Sequence, residues 1–158
     1  MKKLIFVIVL LIYCSTVTAQ EQGDFRIQVA GDYKLQINDL GGNAGFEYLF
    51  ADKFSFAPSF TYWFPDIGRS YSLNADLRYY LTEGISQVYL VGGYNNLWLN
   101  FQPGEPGQVL SRAGANFGVG AFLDLLDQFG VVTEFKMQSQ NTRQPVLRVG
   151  MVFKLGSN

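Results

Sequence analysis

Residues 54–64 read FSFAPSFTYWF, with rings at Phe54, Phe56, Phe60, Tyr62 and Phe64 and small or weakly polar side chains at Ser55, Ala57, Ser59 and Thr61. A period of two identifies a β-strand whose faces meet different surroundings. The alternation returns over residues 25–37, 43–51, 53–64, 70–81, 86–99, 112–123, 128–138 and 146–155. Glycine, proline, aspartate and asparagine clusters separate these segments, as strand-breaking residues should. The pattern predicts an all-β protein of eight antiparallel strands with no amphipathic helix. The connections ADK, TEGIS and DLLDQ are tight, whereas NDLGG, PDIGRS, NFQPGEPGQVLS and SQNTRQP are longer on the whole. Short turns then share one end of the sheet and long loops the other. An even strand count closes this into an up-and-down barrel with both termini at the short-turn end.

Two places depart from regular alternation. Pro58 cannot donate a ladder hydrogen bond, so a bulge is predicted in the third strand. In the fifth strand the apolar parity runs Val88 and Leu90, then Leu97, Leu99 and Phe101. That switch predicts an extra residue near Gly92 and Gly93.

Volume indicates which face points inward. The apolar sets include the five rings of residues 54–64, then Tyr71, Leu73, Leu77 and Tyr79, Phe117 and Val119, Phe129, Val131 and Phe135, and Leu147, Met151 and Phe153. An eight-stranded barrel has room inside only for modest side chains, so these rings would overfill it. The opposite face is small, with Ser55, Ser59, Ser72, Gly114, Gly118 and Gly120. It also carries charges of both signs: Glu47, Asp76, Arg78, Glu134, Lys136 and Arg148, together with Arg26, Asp32, Lys34 and Lys154. Buried charges persist when paired, so an internal ion network is expected, with Glu134 and Lys136 facing Arg148. Ten strand residues at a tilt of about 40° span about 25 Å, the height of the apolar band of a membrane barrel. The competing reading is a soluble lipocalin-like barrel, with its apolar face around a ligand.

Composition narrows the setting. The chain opens MKKLIFVIVLLIYCSTVTAQ, two lysines ahead of an apolar run and the triplet Val17-Thr18-Ala19. That is the form of a secretory signal peptide, with cleavage expected before Gln20, giving a leader at residues 1–19 and a barrel domain at residues 20–158. The apolar run is too short to span a bilayer as a helix. A lipoprotein reading through Cys14 is disfavoured by the bulky Tyr13 before it. Cleavage removes the only cysteine and two of twelve basic residues, leaving no disulfide and no electrostatic basis for nucleic-acid binding. Charged residues are 16% of the chain, below the roughly 25–35% of a well-solvated surface.

With the signal peptide through Ala19, the eight alternating segments, the charged inner face and the last strand VLRVGMVFKL, the sequence resembles the small eight-stranded outer-membrane barrels of the OmpA transmembrane-domain and OmpX type. The resemblance covers the whole mature chain and rests on pattern. It implies residence in the bacterial outer membrane, contact with its lipid, and insertion by the outer-membrane assembly machinery, which reads the final strand. Many relatives end on an aromatic residue, whereas here Phe153 is followed by KLGSN.

Histidine, the side chain best suited to general acid-base work near neutral pH, is absent from the chain. A lipid-modifying enzyme is therefore disfavoured, and Asp66 beside Arg69 reads as a solvated loop carboxylate. No cofactor or metal site is expected from the scattered carboxylates. Eight strands leave no open pore. A non-enzymatic scaffold, adhesion or complex-subunit role remains. Its partner-facing candidate is the longest loop, with Gln102, Pro103, Gly104, Glu105, Pro106 and Gly107, which would meet another envelope protein.

Overall fold

The computed structural model describes residues 23–102, 104, 109–140 and 143–155; the leader and its cleavage point lie outside them. Eight strands follow in order: β1 (Phe25–Lys34), β2 (Asp39–Ala51), β3 (Phe54–Trp63), β4 (Arg69–Tyr80), β5 (Ser86–Asn100), β6 (Leu110–Leu126), β7 (Phe129–Ser139) and β8 (Arg143–Leu155). Each pairs antiparallel with the next, and β8 pairs with β1, closing an up-and-down barrel. There is no helix among the described residues.

The register sets the shape. Passing between partners from Asn96 of β5 through Leu73, Phe60, Ala44, Val29, Met151, Val131 and Leu123 returns to β5 at Ser86, ten residues away. That stagger over eight strands tilts them by about 40° and gives a tube of about 8 Å backbone radius. So narrow a tube holds one layer of side chains from each wall and little else.

Strand parity separates the faces. Phe54, Phe56, Phe60, Tyr62 and Phe64 are 40–60% exposed on the outside, whereas Asp76, Glu134 and Arg148 are 1% exposed within. A lipocalin-like barrel requires the reverse sorting, because its apolar face surrounds the ligand. The wall is therefore that of a membrane-spanning barrel.

Neither predicted irregularity occurs. Gly45↔Ser59 and Tyr48↔Phe56 keep one register across Pro58, which pairs in line with Ala75. The missing donor interrupts the β2–β3 ladder without adding a residue, and the register shift falls instead between Leu49 and Ala51, beside the tight turn. No extra residue enters near Gly92 and Gly93 either, since β5 keeps one register with β4 and with β6 throughout. The apolar parity changes there because Leu97 points inward, packing with Trp63, Val146 and Leu99.

Most connections are shorter than the sequence pattern predicts, because the strands run on into them. β1 stops at Lys34, and the turn of residues 35–38 closes through Asn38 at φ 56°, a left-handed conformation that asparagine tolerates. β6 runs on to Leu126, with a register shift between Asp124 and Leu126.

Candidate functional site

The lumen holds the densest chemistry. Register brings inward residues of all eight strands together, and four guanidinium or ammonium groups meet four carboxylates. Arg78 Nη1 lies 3.1 Å from Glu47 and its Nη2 lies 3.0 Å from Glu134. Lys136 Nζ stands 3.0 Å from Asp76 and 3.3 Å from Glu134. Arg26 is 3.9 Å from Glu47, and its guanidinium stacks 4.6 Å from the Phe122 ring centroid. All are buried. Among these eight groups the charges balance, as a site shut away from water demands; Lys34, also buried, adds a fifth cation toward the loop end.

Arg148 faces Glu134, its register partner on β7, with Nη1 3.6 Å from the carboxylate. Its Nε and Nη2 donate to the two oxygens of Asp32 at 2.7 and 2.9 Å, a closer partner that the sequence did not single out. Asp32 and Arg148 are opposite one another across the β1–β8 seam. The strongest geometry in the lumen therefore bridges the two ends of the chain, where no hairpin connection holds the strands together. A bidentate guanidinium–carboxylate pair fixes orientation as well as distance, so it also pins the register of closure.

Uncharged groups extend the network. Tyr80 Oη donates to Glu47 at 2.6 Å, Ser55 Oγ donates to the same carboxylate, and Tyr89 Oη donates to Glu134 at 3.2 Å. Asn116 Nδ2 donates to Asp76 at 2.7 Å and lies 3.1 Å from Asn74 Oδ1. Thr61 donates to Asp32 at 2.9 Å and accepts from Asn43 at 2.8 Å.

Apolar groups close the two ends. Tyr80, Tyr89, Val91, Phe122, Val132 and Val152 cluster toward the short turns. Trp63, Leu97 and Val146 cluster toward the loops, where Lys34 Nζ sits 4.0 Å over the Trp63 ring. The inner face is thus not uniformly small. Its rings fit because glycines stand against them: a Cβ at Gly120 would meet the Tyr89 ring at 2.3 Å, and one at Gly130 the Phe122 ring at 2.4 Å.

Among solved structures, the N-terminal β-barrel domain of Pseudomonas aeruginosa OprF matches with a TM-score of 0.72 at 18% identity, over 86% of this chain and 100% of that domain. Neisserial surface protein A matches at 0.65 and 14% identity, over 84% and 95% of the two chains. The fold is that of the small eight-stranded outer-membrane β-barrels. Ail of Yersinia pestis, solved in complex with the heparin analogue sucrose octasulfate, has the same barrel at TM-score 0.56 and 19% identity, over 85% and 100% of the chains. No protein-family profile matches the sequence, and no curated protein is significantly similar to it.

At the loop end of this outer-membrane-type barrel, the sequence candidates are less concentrated. Pro103, Glu105, Pro106 and Gly107 lie outside the described residues. Gln102 is exposed and its backbone N–H donates to Asn100 Oδ1 at 3.0 Å. Asp66 and Arg69 form no ion pair, and no cluster of metal-binding side chains exists among the described residues. Tyr89, Phe122 and Gln138 escaped the sequence reading of the lumen, whereas Asn74 and Asn116 were on its inward face. Parity alone could place all three: Phe122 and Gln138 share strand faces with Asp124 and with Glu134 and Lys136, and Tyr89 falls on the inward positions of β5.

Proposed function

We propose that this protein is a non-enzymatic integral barrel of the bacterial outer membrane, acting as a membrane-embedded scaffold and interaction subunit. In this reading residues 1–19 are a cleaved export signal, and residues 20–158 are inserted by the outer-membrane assembly machinery. The observation that carries it is the sorting by strand parity: a largely apolar wall outside and buried charges within. Such a wall is stable against acyl chains and costly against water.

The filled lumen argues for a scaffold over a diffusion channel. Ion pairs occupy its middle, and apolar clusters occupy both ends. The absence of histidine argues in the same direction for enzymes. The partner-facing element we assign to the loop of residues 102–107, the centre of the longest connection on its side of the barrel.

Fractionation tests the reading. The protein should stay with outer membranes through a carbonate wash, migrate faster on a gel before boiling than after, and begin at Gln20 by N-terminal sequencing. Recovery in the soluble periplasmic fraction would refute it. Replacing residues 102–107 by a glycine-serine linker, with the heat-shifted mobility intact, should abolish capture of an envelope partner by cross-linking; unchanged capture would remove the loop from the proposal.

A further inference from the structure

β6 outruns one of its neighbours at the loop end. It pairs with β5 as far as Leu110, opposite Leu99, whereas its pairing with β7 begins only at Ala115, opposite Ser139. Residues 110–114 are therefore strand on one side and open on the other, about 16 Å of edge. Beyond β5 there is no such gap, because β4 follows it up to Arg69, opposite Asn100. No backbone hydrogen bond outside the ladders reaches the open side among the described residues.

Ladder parity identifies the free groups. Asp124 N–H donates to Ile85 O, one step beyond the Ser86↔Leu123 pair and in the same register. Hydrogen-bonded pairs recur at every second residue of an antiparallel ladder. Even-numbered residues of β6 thus turn N–H and C=O toward β5, and odd-numbered ones toward β7. Ser111 and Ala113 therefore direct two donors and two acceptors at the open side. Both residues are exposed. The Ser111 side chain is engaged with Asn96, but its main chain is not. The segment LSRAG holds no proline and no register shift, two of the devices that usually guard an edge. Arg69 and Arg143, exposed at the loop ends of β4 and β8, place this level of the barrel on the water side of the wall.

The surroundings of the edge favour an acidic occupant. Arg112, between the two free positions, is half-buried and has no ion-pair partner among the described residues. Arg143 borders the same gap, since it pairs with Ser139 at the top of β8. At the foot of the edge, Gln140 is buried against Gly114, and its Nε2 has no partner among the described residues. Apart from the buried groups, the loop end as a whole is balanced, with Arg69, Arg112 and Arg143 against Asp39, Asp66 and Glu105. The preference is local to the gap. A second copy of this chain fits it poorly: pairing residues 110–114 antiparallel with themselves sets Arg112 opposite Arg112, and like charges directly opposite destabilise a sheet.

We propose that β6 accepts a short extended segment of another protein as an added antiparallel strand, hydrogen-bonded to Ser111 and Ala113, with an acidic side chain opposite Arg112. The proposal rests on the scaffold reading above and deepens it, by assigning partner capture to a backbone edge beside the loop of residues 102–107.

The test uses the full chain in lipid nanodiscs, with amide exchange followed residue by residue by NMR. In the free protein the Ser111 and Ala113 amides should exchange fast, while those of Arg112 and Gly114, bonded to β5, are protected. The probes are two end-blocked nine-residue peptides of alternating threonine and valine, one with a central glutamate and one with a central lysine. The glutamate peptide should protect Ser111 and Ala113 saturably and bind about five-fold more tightly than the lysine peptide, with the order reversed in Arg112→Glu. Ala113→Pro removes a free donor and no ladder bond, so the barrel should form with its heat-shifted mobility intact while the glutamate peptide binds about ten-fold more weakly. Protected Ser111 and Ala113 amides in the free protein, equal binding of the two peptides, or normal binding by Ala113→Pro would overturn the edge site. Protection that rises with protein concentration in the absence of peptide would assign the edge to a second copy and overturn it too. Outer-membrane recovery and heat-shifted mobility are scored separately. If both persist while the peptides leave the two amides exchanging fast, the edge proposal falls and the barrel reading stands.

Discussion

The two faces of β7 follow opposite rules within one stretch of chain. Inward stand Val132, Glu134, Lys136 and Gln138; outward, one residue along each time, stand Val131, Thr133, Phe135 and Met137. Glu134 has Arg78, Lys136 and Arg148 around it, whereas Phe135 is 43% exposed on the wall. A carboxylate is stable at one position because three cations surround it, and would have no partner at the next. Hydrophobicity is thus not what sorts residues toward the centre of this protein. The lumen accepts whatever can be paired or packed in a narrow tube, and the wall is built mainly of what lipid dissolves.

The sharpest way to break this contrast is to remove charge from inside. Glu134→Gln leaves three cations short of one carboxylate and should cost about 3–5 kcal/mol, read from urea unfolding in short-chain phospholipid vesicles. Replacing both members of the seam pair, Asp32→Leu with Arg148→Met, should cost far less than the sum of the single changes, because no charge is left alone. Additive losses would mean that the seam pair is not a unit.

The converse experiment puts charge outside. Val149 is 54% exposed in the middle of β8, and Val149→Arg should destabilise the barrel by about 2–4 kcal/mol in vesicles. A neutral result would place this part of the wall against protein or water. Next in size is Gly120→Ala, whose Cβ would overlap the Tyr89 ring. It should cost about 1–3 kcal/mol by overpacking, and Tyr89→Ala in the same chain should relieve the crowding. The smallest effect belongs to the loop: a glycine-serine replacement of residues 102–107 should leave unfolding within about 0.5 kcal/mol of the parent.

Much of the fold was legible from alternation alone. The strands observed overlap the eight segments read from the sequence, and the parity of β3, β4, β6, β7 and β8 follows directly from which positions carry rings. The failures have separate causes. Pro58 was read as a bulge because proline cannot donate to the ladder, and the parity switch before Leu97 as an extra residue because local pattern assumes that a strand keeps the same inside and outside along its whole length. Leu97 is apolar and inward because Trp63 and Val146, from other strands, make an apolar place for it. The closest partner of Arg148 was likewise beyond local pattern: Glu134 faces it from the neighbouring strand, but Asp32 lies across the closing seam, 116 residues away.

By itself, then, the sequence determined the period, the number of strands, the wall that meets lipid and the set of charges confined within, since each of these follows from side-chain alternation and bulk. Tertiary structure decided who pairs with whom. Closure with a stagger of ten residues brings Asp32 to Arg148, Arg78 to Glu47 and Glu134, and each ring to its glycine. Those partnerships depend on the register with which the first strand meets the last, a quantity that no single strand contains.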